Sequence, residues 1–160
     1  AYAVSIAAEV NGEIVAGVVH DVVHGEVFTA TRSGGAFCDG RPLKVTGPST
    51  LATALIGTGF AYAAARRAVQ AAALGQLLGL VRDVRRSGSA ALDHCWVAAG
   101  RLDGYYESGL SYWDMAAGRL IAAEAGAWVG DVDGQAIAVV PQLADAFIDA
   151  LRVAFAAAAD

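Results

Sequence analysis

Asp114 is the residue of this chain whose type and position most clearly indicate chemistry. It lies in residues 107–118, ESGLSYWDMAAG, before a run of small and apolar residues that predicts a helix ending near Gly126. An acid in the first turn of a helix is stabilised by the free N–H groups and by the positive end of the helix dipole. A carboxylate held by such a rigid frame suits a hard cation, which takes oxygen ligands.

The simpler interpretation of Asp114 is a helix-capping residue, because Asp is favoured at helix starts. A second candidate segment consists of Gly88, Ser89 and Ala90, between a predicted strand and a predicted helix. Their N–H groups would point out of the helix start, and their small side chains let a substrate approach the backbone. An ordinary strand-to-helix turn is the alternative for this segment.

Four segments in the second half of the chain carry a resemblance to a known family. They are residues 86–93 (RSGSAALD), 97–107 (VAAGRLDGYYE), 113–118 (WDMAAG) and 124–126 (EAG). In order and spacing they resemble the inositol monophosphatase family of metal-dependent sugar phosphatases. Similar matches occur earlier in the chain, at residues 3–6, 17–19, 34–37 and 39–43. The resemblance therefore covers nearly the whole chain.

The resemblance implies a role for each candidate residue. Asp114 would be a ligand of a catalytic Mg²⁺, Glu107 would accept hydrogen bonds from a sugar hydroxyl, and residues 88–90 would contact the sugar. Without the resemblance, Glu107 would be an ordinary exposed glutamate, and Asp93, one turn into its helix, is interpreted as structural. The implied reaction is phosphate-monoester hydrolysis with two or three Mg²⁺ ions. Inositol phosphate is the favoured substrate, with histidinol phosphate, fructose bisphosphate and a nucleotide phosphate left open.

Some acids of the family pattern do not occur in this sequence. The family carries its first metal-binding carboxylates upstream, in a Glu-Glu segment and in an Asp-Pro-Ile/Leu-Asp-Gly-Thr motif, whereas this chain has no Asp-Pro step and no Glu-Glu pair. We therefore expect residues 1–160 to be the C-terminal part of one longer inositol monophosphatase-like domain, and to be inactive or barely active alone. The alternative is a non-catalytic interaction or dimerisation module, against which Glu107 and Asp114 argue.

Composition is consistent with a cytoplasmic globular protein. The 160 residues are 56% hydrophobic, enough for one sizeable core, and the net charge of −5 argues against binding to nucleic-acid backbones. Apolar runs are broken before the roughly 18 residues that a membrane span needs. Cys38 and Cys95 lack metal-ligand spacing and predict reduced, buried thiols. The five arginines from Arg66 to Arg86 are interpreted as a solvated surface. The family resemblance implies a homodimer.

The pattern of the chain predicts two regions. Residues 1–46 have the alternation and turn dipeptides of an antiparallel strand meander, whereas residues 51–155 alternate between strand-like and helix-like segments. Helices are expected near residues 63–80, 89–99, 113–125 and 143–155, followed by a frayed tail. With the resemblance, the expected fold class is an α/β layered sandwich of the αβαβα type.

The histidines do not predict a metal site or covalent catalysis. His20 and His24 would be about 13 Å apart in a continuous strand, too far to share an ion, so a surface hairpin is expected. His94 stands among apolar residues and is expected to be partly buried and neutral. No Ser-His-Asp or Cys-His arrangement can be assembled from the sequence.

Overall fold

The computed structural model describes residues 1–159. Within them the strands are β1 (Ala3–Val10), β2 (Glu13–Asp21), β3 (Glu26–Thr31), β4 (Gly35–Cys38), β5 (Arg41–Pro42), β6 (Leu55–Thr58), β7 (Asp83–Arg85), β8 (Gly104–Ser108), β9 (Trp128–Val132) and β10 (Gln135–Val139). The helices are α1 (Ala64–Leu78), α2 (Ala90–Ala98), α3 (Tyr112–Glu124) and α4 (Ala144–Ala159).

The first five strands form an antiparallel sheet in chain order, here called the meander sheet. Asn11 and Asp39 have φ angles of 53° and 48° and are each followed by a glycine, as tight hairpin turns between strands require. The predicted meander is confirmed. A turn at Ser33, with φ of 61°, separates β3 from β4 and was not predicted.

The other five strands form a mixed sheet in the order β7-β6-β8-β10-β9. In this sheet β6 is parallel to β7 and β8, whereas β10 is antiparallel to β8 and β9. Because β6 and β8 are parallel neighbours, the residues that follow both strands lie at the same edge of the sheet. That edge positions the candidate site.

The helices divide into two pairs around the mixed sheet. Helices α2 and α3 lie between the two sheets, where Ile121 packs with Phe28 of the meander sheet and Val97 packs with Tyr105 of the mixed sheet. Helices α1 and α4 cover the other face of the mixed sheet, with Phe147 in that core. The order is sheet, helices, sheet, helices, which confirms the α/β layered sandwich and supplies four consecutive layers of the expected αβαβα arrangement.

Small residues let α3 approach its neighbours closely. A Cβ added to Gly17 would lie 3.0 Å from the Cα of Ala117, and one added to Gly118 would lie 2.8 Å from the Cβ of His94. The Ala-Ala-Gly sequence after Asp114 therefore serves close packing on both the meander sheet and α2. Since α3 begins at the candidate site, this packing fixes the position of Asp114.

Helix α4 was expected to end near residue 155 and to be followed by a frayed tail. The helix instead continues to Ala159, so this expectation is wrong for residues 156–159. Asp160 lies outside the described residues. The aromatic contact between Phe155 and Tyr106, with ring centroids 6.1 Å apart, anchors the end of this helix.

Of the two cysteines, Cys95 is buried as expected, but Cys38 is only partly buried. No helix within residues 1–159 has both the length and the apolar character needed to cross a bilayer.

Candidate functional site

A cleft of about 660 Å³ opens where β6 and β8 end and where α2 and α3 begin. All five residues that the sequence predicts for the site line it, and they are Gly88, Ser89, Ala90, Glu107 and Asp114. Its volume falls within the range of small-molecule sites, about 300–1,000 Å³. Three separate chain segments therefore converge on one concave surface.

Asp114 lies in the first turn of α3 and is partly buried. Its Oδ2 accepts a hydrogen bond of 2.8 Å from the backbone N–H of Ser111, so the carboxylate caps its own helix. Within residues 1–159 its Oδ1 accepts no hydrogen bond. Capping and ligand binding are therefore compatible, because capping occupies only one of the two oxygens.

Glu107 is held by two neighbours at the end of β8. The hydroxyl of Tyr105 donates a hydrogen bond of 2.7 Å to Glu107 Oε2. A Cβ added to Gly59 would lie 2.0 Å from the carboxyl carbon of Glu107, so only glycine leaves room for this carboxylate. Burial raises the pKa of Glu107, whereas the Tyr105 hydroxyl and the charge of Arg86 oppose that rise.

The turn before α2 is fixed by a buried acid. Gly88 has a φ of 93°, and the hydroxyl of Ser89 accepts a hydrogen bond of 3.4 Å from the N–H of Leu92. Asp93, fully buried under this turn, accepts a hydrogen bond of 2.6 Å from the hydroxyl of Ser87. The interpretation of Asp93 as structural agrees with these contacts, since Asp93 holds the segment that lines the cleft.

Burial raises the pKa of Asp93 to about 7 from an ordinary value of 3.8, and the charge of Glu107 adds to the rise, although the Ser87 hydrogen bond opposes it. Its Oδ1 has no hydrogen-bond partner in the part of the chain that the structure describes. The folded protein therefore holds on to a proton that the unfolded chain releases near pH 4. The contribution of this proton to the free energy of unfolding is fully present below pH 4 and is lost as the pH rises to about 7.

We expect Asp93→Asn to raise the free energy of unfolding at pH 8 relative to the unsubstituted chain, because the amide needs no ionisation and its oxygen can still accept the Ser87 hydroxyl. The difference should shrink as the pH falls from 7 to 4, by at most about 1.4 kcal/mol per pH unit. Urea denaturation across this pH range measures it. Asp145→Asn, at an exposed acid, is the matched control and should show no such dependence. A loss of stability at pH 8 in Asp93→Asn would contradict this account.

The structure adds cleft residues that the sequence did not single out. Arg66, Arg86, Tyr62 and Trp113 also line the cleft, and the side chains of all four are exposed. Both arginines were predicted to lie on a solvated surface, and their side chains are exposed as expected. The sequence did not predict that they line the cleft. No local pattern indicates this location, because α1 and β7 meet the cleft only through the packing of the mixed sheet.

The histidines lie outside the cleft. Nδ1 of His24 makes a hydrogen bond of 2.7 Å with the buried carboxylate of Asp21, across the expected surface hairpin. His94 is fully buried, more deeply than expected, and burial lowers its pKa to about 4, so it is neutral at pH 7. Its ring packs edge-on against Tyr105 with centroids 4.8 Å apart.

The donor groups of the cleft fit a hard cation only in part. Asp114 offers the oxygen ligand that Mg²⁺ takes, on a rigid helix start. However, no group of three or more His, Cys, Asp or Glu side chains within residues 1–159 is arranged to hold a metal ion. These residues therefore supply one ligand of the right chemistry and not a complete site.

Known proteins resemble this chain over nearly its whole length. The model of the inositol monophosphatase family matches residues 1–158. The inositol-1-monophosphatase of Mycobacterium leprae is 52% identical in an alignment of 164 positions, which covers 95% of this chain and 56% of that protein.

Two solved structures show the same fold. Mycobacterium tuberculosis SuhB superposes with a TM-score of 0.90 at 51% identity, over 96% of this chain and 65% of that one. The inositol monophosphatase of Anabaena superposes with a TM-score of 0.88 at 38% identity, over 96% of this chain and 64% of that one. The chain thus spans a little over half the length of the curated relative it matches. Since the family model covers nearly all of it, this chain belongs to the inositol monophosphatase family.

Proposed function

We propose that this chain supplies the substrate-orienting side, and one metal ligand, of a Mg²⁺-dependent phosphatase that hydrolyses an inositol phosphate or a related polyol phosphate. The observation that carries the proposal is the convergence of residues 88–90, Glu107 and Asp114 on one cleft. The relatives named inositol-1-monophosphatase support the same reaction.

In the proposed reaction, the residues of this chain bind and orient the substrate. Asp114 would hold one Mg²⁺ through a carboxylate that α3 keeps in place. When bound, Mg²⁺ neutralises phosphate oxygens and lowers the pKa of a water molecule. Glu107 would accept hydrogen bonds from substrate hydroxyls, and its position is set by Tyr105 and by the absence of a side chain at Gly59. The turn at residues 88–90 would let the sugar ring approach the backbone.

We further propose that the remaining metal ligands lie outside these 160 residues. Two observations support this proposal. Within residues 1–159 no group of three or more His, Cys, Asp or Glu side chains could hold a metal ion, and the relatives are longer than this chain. The chain alone would then show little or no hydrolysis. The homodimer and the cytoplasmic location implied by the family resemblance stay predictions.

A non-catalytic interaction or dimerisation module is the second candidate. It is favoured by β1, an edge strand of the meander sheet whose Val4 and Ile6 side chains are 51% and 62% exposed, since exposed apolar edges pair with other chains. The arrangement of Glu107 against Tyr105 and Gly59 favours the enzyme, because a module without a substrate needs no oriented carboxylate there.

Glu107→Gln tests the proposed substrate. In the complete phosphatase we expect kcat/KM for inositol 1-phosphate to fall about tenfold or more, because a hydrogen bond to a charged group is worth about 1.5–3 kcal/mol. The value for 4-nitrophenyl phosphate should change much less, because that ester offers no hydroxyls to the carboxylate. Glutamine can still accept the Tyr105 hydroxyl, so the local structure should be kept. Equal losses for the two esters would remove Glu107 from substrate recognition.

A further inference from the structure

The hydrogen-bonded ladder between β6 and β8 ends before β8 itself does. Its last pair joins Thr58 to Tyr106, and there the Thr58 hydroxyl also donates a hydrogen bond of 3.0 Å to the carbonyl oxygen of Tyr106. Strand β8 continues to Ser108, paired with β10 on its other side. At the cleft the two chain segments therefore separate, and a gap opens between residues 59–63, which follow β6, and the end of β8.

The carboxylate of Glu107 lies in this gap. A Cβ on Gly59 would overlap it, so the backbone after β6 lies directly against the carboxylate. On its other side, the Tyr105 hydroxyl holds Glu107 from the same strand. Because the ladder has already ended, the width of the gap depends on side chains that reach both of its sides.

Gln70 of α1 joins the two sides of the gap. Its Oε1 accepts a hydrogen bond of 2.8 Å from the N–H of Ala61, and its Nε2 donates one of 3.1 Å to the hydroxyl of Ser108. The residue is only 4% exposed. Both bonds resist breaking, because losing either would leave a buried polar group without a partner. Gln70 thus connects the segments that the ladder no longer connects.

Arg67 of α1 holds the same segment from a second direction. Its Nη1 donates hydrogen bonds of 3.0 and 2.9 Å to the carbonyl oxygens of Ala61 and Tyr62. The side chain of Tyr62 is 99% exposed, so burial of this aromatic residue does not position the segment. Hydrogen bonds from α1 to the backbone of residues 61 and 62 therefore fix this wall of the cleft.

We infer that Gln70 is a positioning residue of the cleft, which holds residues 59–63 and Ser108 at the separation that orients the Glu107 carboxylate. The inference rests on the proposed function for the role of Glu107, which is to accept hydrogen bonds from substrate hydroxyls. Gln70 does not itself line the cleft, so it acts through Glu107 and not on the substrate.

Two substitutions break the connection from opposite ends. Gln70→Met removes both hydrogen bonds with little change in side-chain volume, and Ser108→Ala removes only the bond to β8. In the complete phosphatase we expect each to lower the ratio of kcat/KM for inositol 1-phosphate to that for 4-nitrophenyl phosphate about threefold or more, because a displaced carboxylate orients the polyol less well. Gln76→Met makes the same replacement at an exposed position of α1 and should leave the ratio unchanged.

Combined substitutions separate positioning from a general structural role. Gln70→Met and Ser108→Ala together should cost about as much as the larger single change, since both break the same bond. In a Glu107→Gln background, Gln70→Met should lower the ratio no further. Equal losses for the two esters, or an undiminished further loss in that background, would overturn the inference. Circular dichroism and urea denaturation check that each variant folds.

NMR titration of the Glu107 carboxyl carbon in EDTA examines the gap without catalysis. Burial raises the pKa of Glu107, so a wider gap that admits water should lower this pKa in Gln70→Met and leave it unchanged in Gln76→Met. The same pKa in Gln70→Met as in the unsubstituted protein would count against the inference. If the unsubstituted protein hydrolysed neither ester, the proposed function would fail, and this titration would still decide whether Gln70 positions Glu107.

Discussion

Asp114→Asn is expected to reduce Mg²⁺-dependent hydrolysis by the complete phosphatase at least about 100-fold. Changes to residues that merely support metal ligands already cost about 10–100-fold, and Asp114 is proposed to be a ligand itself. The asparagine keeps one oxygen for the Ser111 N–H, so the start of α3 should remain intact. Phosphate release at several Mg²⁺ concentrations, with circular dichroism as a check on folding, measures the effect.

Asp145→Asn is the control for this substitution, because Asp145 is also an acid in the first turn of a helix but does not line the cleft. It should cost a few tenths of a kcal/mol of stability at most and no activity. Unchanged hydrolysis by Asp114→Asn at saturating Mg²⁺ would leave helix capping as the only role of Asp114.

Gly118→Val is expected to lower the free energy of unfolding by about 1–3 kcal/mol, the usual cost of overpacking a core. A Cβ at this position would lie 2.8 Å from His94 Cβ and 3.0 Å from the carbonyl oxygen of Ala91, so α2 and α3 would have to separate. These helices carry Ser89 and Asp114 at their starts, so the separation would also disturb the cleft. Urea denaturation measures the change.

Gly75→Val provides the matched control in α1. Gly75 is exposed, and a Cβ there would meet nothing within 4 Å, so the same replacement costs no packing and removes a poor helix former. Its stability should be unchanged or slightly higher. If both variants lost stability equally, the close approach of α2 and α3 would not be the cause.

Local patterns predict most of the elements because their signals lie within a few residues. Asn11 with Gly12 and Asp39 with Gly40 mark tight turns, since these residues tolerate positive φ, and both turns are present. The start of α3 is similarly visible in Asp114, an acid in the first turn of this helix. The prediction that residues 88–90, Glu107 and Asp114 share one site came from the family resemblance, because no local rule relates segments so far apart in the chain.

Other features depend on tertiary packing and could not be predicted from local patterns. Asp93 is buried because α2 is enclosed between two sheets and has no solvent-facing side at that position. Arg66 and Arg86 reach the cleft through the order of strands in the mixed sheet. Helix α4 extends beyond Phe155, and both Phe155 and Ala158 pack against the core that contains Tyr106, which lies 49 residues before Phe155 in the chain.

The central claim is that this chain carries one side of a Mg²⁺-dependent phosphatase site. Phosphate release from inositol 1-phosphate, measured for the complete protein and for the 160-residue chain, tests it most directly. We expect the complete protein to hydrolyse the ester with Mg²⁺, to stop in EDTA and to recover when Mg²⁺ is restored, while the 160-residue chain releases no phosphate above a blank. Hydrolysis by the complete protein that is indifferent to Mg²⁺, or hydrolysis by the 160-residue chain at the same rate as the complete protein, would contradict the claim.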